Sequence, residues 1–421
     1  ATDQTDSNNN IIVHAVPGLT HECGHIIIEG CKPHQADLYG HIDGVSVSNC
    51  DLGFIELKTL HTGHILQNVT ISNCVLYDST DAVRVRINPD STDGASTIQN
   101  VLVTNNLVKG GTTASILRIT GEDASAQANL VRAVTFANNS IDAAASTQVR
   151  PAFYIANNQT VDWTDILITG NNVYDDNVYT GFCGIQLNGG GAGDLERLVI
   201  QNNIFGPSCY NFITGYSGSG TGALKDCSII GNTIRCAPTL YDALSLDNLI
   251  VDELLVANNK VPICKYAISQ ATAAVSNVTF RGNVFDDLRT AFSSGTITNL
   301  TVEGNGPTYP IVKTADFTVG IEYNGCTYIN TGDAGAQAAT LPAAAAGLHY
   351  VFVDNVNTAG VDIAVTAAGS DEIYDIDGTT SAGAGDAWWL DSDAYTEIEI
   401  ACYRAGYWNI IRKIGTIHDN D

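Results

Sequence analysis

Five short segments, LGFIELK, DAVRVRI, SILRIT, AFYIA and GIQLN, align so that Glu56, Arg84, Arg118, Tyr154 and Gln186 fall in one column, with Lys58 and Arg86 beside it. In a chain with 19 basic against 45 acidic residues, three arginines gathered on neighbouring segments depart from the background. A guanidinium presents a planar fork of donors that suits two-point contact with a carboxylate or sulfate, and a tyrosine face suits a sugar ring. Glu56, Arg84, Arg86, Arg118, Tyr154 and Gln186 therefore read as a substrate-binding strip. Asp78, Asp81, Glu122 and Asp123 lie near the same edge and are the candidate catalytic acids, since glycoside hydrolysis needs two carboxylates roughly 5 to 9.5 Å apart. The plainer reading of the same letters is charge pairing between neighbouring strands on a solvated sheet face, Glu56 against Arg84 for instance.

What positions these segments is a repeat. A six-residue pattern, apolar-x-apolar-x-(Asn/Gly)-(Asn/Cys), runs as VSVSNC from Val45, VTISNC from Val69, VLVTNN from Val101, VTFANN from Val134 and ILITGN from Ile166. It continues as LVIQNN from Leu198, CSIIGN from Cys227, LLVANN from Leu254, VTFRGN from Val278 and LTVEGN from Leu300, at intervals of 22 to 33 residues. The first and third residues point inward on a strand, and the Asn or Gly that follows tolerates the left-handed backbone of a tight bend. The sixth position is Asn106, Asn139, Asn171, Asn203, Asn232, Asn259, Asn283 and Asn305 in eight successive units. Stacked at about 4.8 Å, their amides form a ladder along the axis. The period marks a solenoid, and its irregular length sets it apart from a leucine-rich repeat. The expected fold is all-β: a right-handed parallel β-helix of about ten coils over residues 21–306, a rod on the order of 45 Å long. The outward second position is Leu102, Leu167, Val199 and Leu255 in several units, a stripe that lateral packing of three rods would cover.

Residues 1–20 are expected to form an N-terminal arm. The segment His21-Glu22-Cys23-Gly24-His25, with Cys31 and His34, matches no standard zinc spacing and reads as a first capping coil, so no metal and no cofactor is expected. The pattern stops at Gly306-Pro307-Thr308-Tyr309-Pro310. Beyond it FTVGIEY, HYVFVDN, VDIAVTA, TEIEIACY and YWNIIRKIG alternate between turn signals, which predicts a small antiparallel β-sandwich over 307–421, for trimerisation or capping. Trp388-Trp389 in it reads as core or interface packing.

A net charge of −26 argues against nucleic acid and anionic membrane as partners, and no apolar run is long enough for a membrane helix. The eleven cysteines lack a ribbon spacing, and most read as small buried side chains of a reduced compartment. Cys50 and Cys74 recur at one repeat position, where side chains are poorly aimed for a disulfide. The opening residues lack a signal peptide's basic and apolar regions, as in a chain that has lost its initiator Met or in a cleaved precursor.

The stretches TLPAAAAGLHYVFVDN, GVDIAVTAAGSDEIYDIDG and CYRAGYWNIIRKIGT resemble the C-terminal β-domains of bacteriophage tail and virion proteins. With the solenoid before them, the outline is similar to that of a phage tailspike or virion decoration protein. The resemblance implies a homotrimer in the virion, assembled in the host cytoplasm with other virion proteins and meeting a host surface carbohydrate. The alternative is a polysaccharide-degrading enzyme, a depolymerase or an extracellular hydrolase or lyase. Ser79-Thr80-Asp81 is a partial echo of the polygalacturonase motifs, and Asp78, Asp81 and Arg84 a weak one of the pectate lyase calcium site. The glycines at 189–191 and Gly218-Ser219-Gly220 read as loops, not as phosphate-binding turns.

Overall fold

The computed structural model describes residues 4–5, 10–14, 23–77, 84–89, 91, 94–109, 117–120, 128–142, 151–174, 183–188, 191–206, 211–216, 221–234, 243–246, 249–269, 274–292, 297–303, 311–313, 316–330, 337–354, 362–378, 387–390 and 395–419. The chain divides into two compact units, residues 1–279 with 287–300, and residues 280–286 with 301–421.

The first unit is a parallel β-helix with three faces. The repeat motif forms the first face, where strands such as Ile42–Ser48, Ile65–Ser72, Thr97–Thr104 and Leu130–Ala137 pair in parallel, each with the equivalent strand one repeat on. Twelve strands make this sheet, two of them, Leu195–Glu196 and Val199–Gln201, sharing one rung, so it has eleven rungs. The rung beyond the ten motifs is Cys23–Glu29, which pairs Ile26 with Val45 and Ile28 with Val47. The expected capping coil is thus a full rung of sheet, and Ile11–His14 in the expected arm pairs in parallel with Gln35–Tyr39. The second face is a column of short strands, among them Val75–Leu76, Leu107–Lys109, Ser140–Asp142 and Asn172–Tyr174. The third face stacks Gln35–Tyr39, Phe54–Thr59, Val85–Pro89, Leu117–Thr120, Phe153–Ala156, Cys183–Asn188 and Asn211–Tyr216.

Inward motif positions such as Val47, Ile71, Val103, Phe136 and Ile168 are buried. Each contributes roughly 1.5–3 kcal/mol from burial. The turn residue after the strand, Asn49, Asn73, Asn105, Asn138, Gly170, Asn202, Gly231, Asn258 or Gly282, has φ between +54° and +66°, as the Asn/Gly preference requires. The next residue is the ladder. Asn139 Oδ1 accepts from Asn106 N–H (3.1 Å) and Asn106 Nδ2 (3.0 Å), while Asn139 Nδ2 donates to Asn171 Oδ1 (2.9 Å) and back to the Val103 carbonyl (3.1 Å). The same pattern continues through Asn171, Asn203 and Asn232 to Asn259. Asn283 is buried at the same motif position, and Asn305 lies outside the described residues. Toward the N-terminus Cys31, Cys50 and Cys74 take the ladder position as free thiols. Cys74 N–H donates to Asn106 Oδ1 (2.9 Å), and Cys31 N–H faces Cys50 Sγ (3.4 Å). Burial pushes the Cys74 thiol up to about 11.

A second, shorter polar ladder lines the corner between the third and first faces. Thr59 and Ser96 share a hydroxyl hydrogen bond (2.7 Å), Ser96 donates to Asn129 Oδ1 (2.8 Å), and Asn129 Nδ2 donates to Gln159 Oε1 (3.3 Å). The first face is thereby held between two internal ladders.

The second unit is a β-sandwich whose sheets mix parallel and antiparallel pairs. Its chain first alternates between the sheets, so Ile311–Lys313, Thr327–Asn330 and His349–Asp354 run parallel in one, and Phe317–Thr318, Gln337–Thr340 and Ile363–Thr366 run parallel in the other. Thr396–Arg404, Tyr407–Ile414, Ala387–Leu390 and Ile417–Asp419 then add antiparallel pairs. The purely antiparallel pattern expected from the turn signals fails in the first half for this reason: an Asn-Gly turn reports a reversal but not which sheet the next strand joins. In FTVGIEY only Phe317–Thr318 is strand, and Ile321–Tyr323 forms a 3-10 turn. Tyr328, Tyr350, Phe352, Trp388 and Trp408 build the core, with Trp389 on the opposite face of its strand.

Candidate functional site

Strand alternation turns one side of the third face outward, and register fixes what stacks there. Asp37 pairs with Glu56, Glu56 with Arg86, Arg86 with Arg118, Arg118 with Tyr154, Tyr154 with Gln186, and Gln186 with Thr214. Five of the six residues expected in the binding strip therefore stand in one column. Arg84 does not. It lies two residues before Arg86, fully buried, with Nη1 3.5 Å from the Gly53 carbonyl. A slip of two residues keeps a side chain on the same face, so alternation could not reveal it. Lys58 stands in the neighbouring column, between Tyr39 and Asn88.

The column changes sign along its length. At one end Glu56 accepts from Tyr39 Oη at 2.6 Å through Oε2. Its Oε1 receives Asn88 Nδ2 at 3.3 Å and Arg86 Nη1 at 3.4 Å. The expected charge pair on Glu56 is thus made by Arg86 instead of Arg84. Asp37 beside it accepts from Gln35 Nε2 at 2.6 Å. Asp37 and Glu56 are each only 6% exposed although they point away from the core. Burial, and then the neighbouring Glu56 charge, hold the Asp37 carboxyl above the ordinary carboxylate range in spite of its Gln35 hydrogen bond. Burial and Glu56 likewise raise the Tyr39 phenol, so it stays a donor. Past the acids, the Arg118 guanidinium lies over the Tyr154 ring at 5.1 Å, and Asn188 Nδ2 reaches Tyr154 Oη at 3.4 Å.

The chain lengths around the face localise the site. In the described rungs from Ile42–Ser48 to Val275–Arg281 the first-to-second-face turn is two residues, whereas the third-face strands are separated from their neighbours by as many residues as 143–152 on one side and 121–129 on the other. These segments adjoin the strands that carry Arg118 and Tyr154. Glu122 and Asp123 fall between Leu117–Thr120 and Leu130–Ala137, Asp78 and Asp81 fall between Val75–Leu76 and Val85–Pro89, and all four lie outside the described residues.

Sequence reasoning missed Asp37 because its rung precedes the first motif, although QADLY matches FIELK position for position in the observed register. Among the described residues, one set of three acids brings its ligand atoms within 4.8 Å of one another, Asp162, Asp194 and Glu196. Asp194 there is bound by Lys225 and by the Ala223 N–H, and Asp162 accepts from Asp194 N–H, so the oxygens serve the rungs themselves.

Asp37 sets a pH dependence. Its folded-state pKa exceeds the unfolded value, so its contribution is favourable below the ordinary Asp range and is lost as pH rises through the raised value. Asp37→Asn should therefore raise the thermal midpoint at pH 7 and lose that advantage as pH falls through the Asp37 window. An advantage that persisted unchanged into acid would show that the charge is not the cause.

Fold and site together define a class: a three-faced parallel β-helix carrying a recessed polar and aromatic strip on one face. No family model and no curated protein matches the chain. Among solved structures, the chain is similar to a tailspike protein mutant of E. coli bacteriophage HK620 in complex with a pentasaccharide. The identity is 12% over 99% of this chain and 86% of that one, at a TM-score of 0.37. A second mutant of the same tailspike gives 13% identity over 92% and 78%, also at 0.37.

Proposed function

We propose that this chain is a carbohydrate-binding component of a phage spike, and that the third face is its glycan floor. The observation that carries the reading is the in-register column Arg86–Arg118–Tyr154–Gln186. Rungs about 4.8 Å apart approximate the repeat of an extended saccharide, so successive rungs can meet successive sugars. The Tyr154 ring supplies a stacking surface, and Gln186 and the arginines supply donors for hydroxyl and acidic groups.

The test is binding to purified bacterial surface polysaccharide fragments. Arg118→Ala combined with Tyr154→Ala should weaken the best glycan at least tenfold with the β-sheet circular dichroism unchanged. Glycan binding as tight as in the wild type would reduce the column to a charge-paired sheet face.

Asp37 and Glu56 favour a second reading, a polysaccharide-degrading enzyme. They are a protonatable acid held high by burial beside a carboxylate fixed by Tyr39, Asn88 and Arg86, the asymmetry that acid and base roles require. New reducing ends or unsaturated products during the same incubations would turn the assignment toward this second reading.

A further inference from the structure

The first face differs from every other described surface of the rod in one respect. In the eight repeats from Val45 to Leu254, the second and fourth motif positions point outward, sixteen side chains in parallel register. None is charged. They are Leu102, Leu167, Val199, Ile230 and Leu255, with serine, threonine, glutamine and alanine between them. Leu102 is 37% exposed, and except for Ala137 and Ala257 the others are at least partly open.

Immediately beside this strip, the two residues preceding the motif in the nine repeats from Val45 to Val278 tell the opposite story. Nine of these eighteen positions are charged, Arg132, Asp165, Arg197, Lys225 and Glu253 among them. They pair along the rim, as Arg197 does with Asp165 at 2.7 Å and 3.1 Å. The strip also meets charge at its first end, with Glu29 on the rung before it. On its other side the strip ends in two-residue turns in all eight repeats.

We infer that this charge-free strip is where copies of the chain pack against one another. Charge selects the occupant. Two chains of net charge −26 repel, and an unpaired charge buried between them would oppose association further, so self-association requires a face stripped of charge. A basic or acidic partner would instead leave its counter-charges on the strip. Area agrees: eight rungs at about 4.8 Å by five residues at about 3.3 Å give on the order of 600 Å² per copy. A pair would then bury about 1,200 Å², at the lower bound of specific interfaces. The inference deepens the spike reading by naming the surface through which its copies assemble; it stands independently of glycan binding, which belongs to another face.

The experiment is light scattering on the full chain across a dilution series. The wild type should form a discrete multimer, three copies in the spike reading. Leu167→Glu with Leu255→Glu should raise the concentration at which it dissociates at least 100-fold, with the circular dichroism spectrum unchanged. Thr135→Glu, an outward substitution that removes no apolar group, should shift it in the same direction, and Asn100→Asp on the rim should leave it within threefold. A wild type that is monomeric throughout, or strip variants that dissociate like the wild type, would overturn the inference. Glycan affinity per chain in the strip variants should stay at the monomer value, so a failure of the glycan reading remains separate from a failure of this one.

Discussion

Asn171→Ala should destabilise the solenoid by about 3–5 kcal/mol, measured as the shift in denaturant midpoint multiplied by the slope. The side chain takes part in four hydrogen bonds. Its Oδ1 receives Asn139 N–H at 3.0 Å and Asn139 Nδ2 at 2.9 Å, and its Nδ2 donates to the Phe136 carbonyl at 3.0 Å and to Asn203 Oδ1 at 2.9 Å. Alanine removes them together and leaves the Asn139 amide, one Asn139 Nδ2 hydrogen and the Phe136 carbonyl inside the rod. Each abandoned buried group costs about 1–3 kcal/mol, and no water-sized neighbour of alanine replaces the amide. Asn171→Asp retains the acceptor yet buries a charge and loses both donations, so it should be at least as damaging. A loss below 1 kcal/mol for the alanine variant would mean that apolar stacking alone holds the rungs and that the ladder is incidental.

The ladder was legible because its cause is local: one strand, one left-handed residue, one amide, repeated. The same logic extends to Cys50 and Cys74, whose motif position placed them in the stack before any coordinate did. Register on the third face was not legible. The segments leading into it differ in length from coil to coil, so spacing counted from the motif drifts, and it sets Arg84 in the column where the register puts Arg86. Alternation has a period of two and cannot detect a slip of two. A further left-handed column precedes the motif, at Asn68, Asn100, Ala133, Asp165, Arg197, Asp226, Glu253 and Asn277, with φ from +51° to +64°. Only its asparagines signal that conformation. Alanine, arginine and glutamate adopt it against their own preference, because stacking on neighbouring rungs over-determines the bend. The acids beside the strip illustrate the remaining gap. Asp37 sits one rung before the first recognisable motif, so no local pattern marks it.

Gly193→Ala is expected to be the most damaging small substitution in the solenoid. A Cβ there would lie 2.0 Å from the Val161 carbonyl oxygen and 2.5 Å from its carbon, with Asn157 Nδ2 at 3.0 Å. The first two are backbone atoms and cannot rotate away. Val161 O is itself held by Asn157 Nδ2 (3.1 Å), which also donates to the Asp194 carbonyl (3.0 Å), so relief would have to break the clamp that joins two rungs at the corner below the third face. Because each rung contacts only its neighbours, the damage should fall on the coils around Cys183–Asn188 and Trp163–Thr169, on one flank of Tyr154 and Gln186. The expected result is a loss of at least 3 kcal/mol or failure to refold, accompanied by faster hydrogen exchange in those two coils. Gly24→Ala supplies the comparison: no heavy atom lies within 4 Å of its would-be Cβ, and its stability should stay within about 0.5 kcal/mol of the wild type. If both variants proved equally stable, the corner would have to yield by more than 1 Å at no cost, and the third face would be a pliable surface instead of the rigid floor on which successive sugars could be counted against successive rungs.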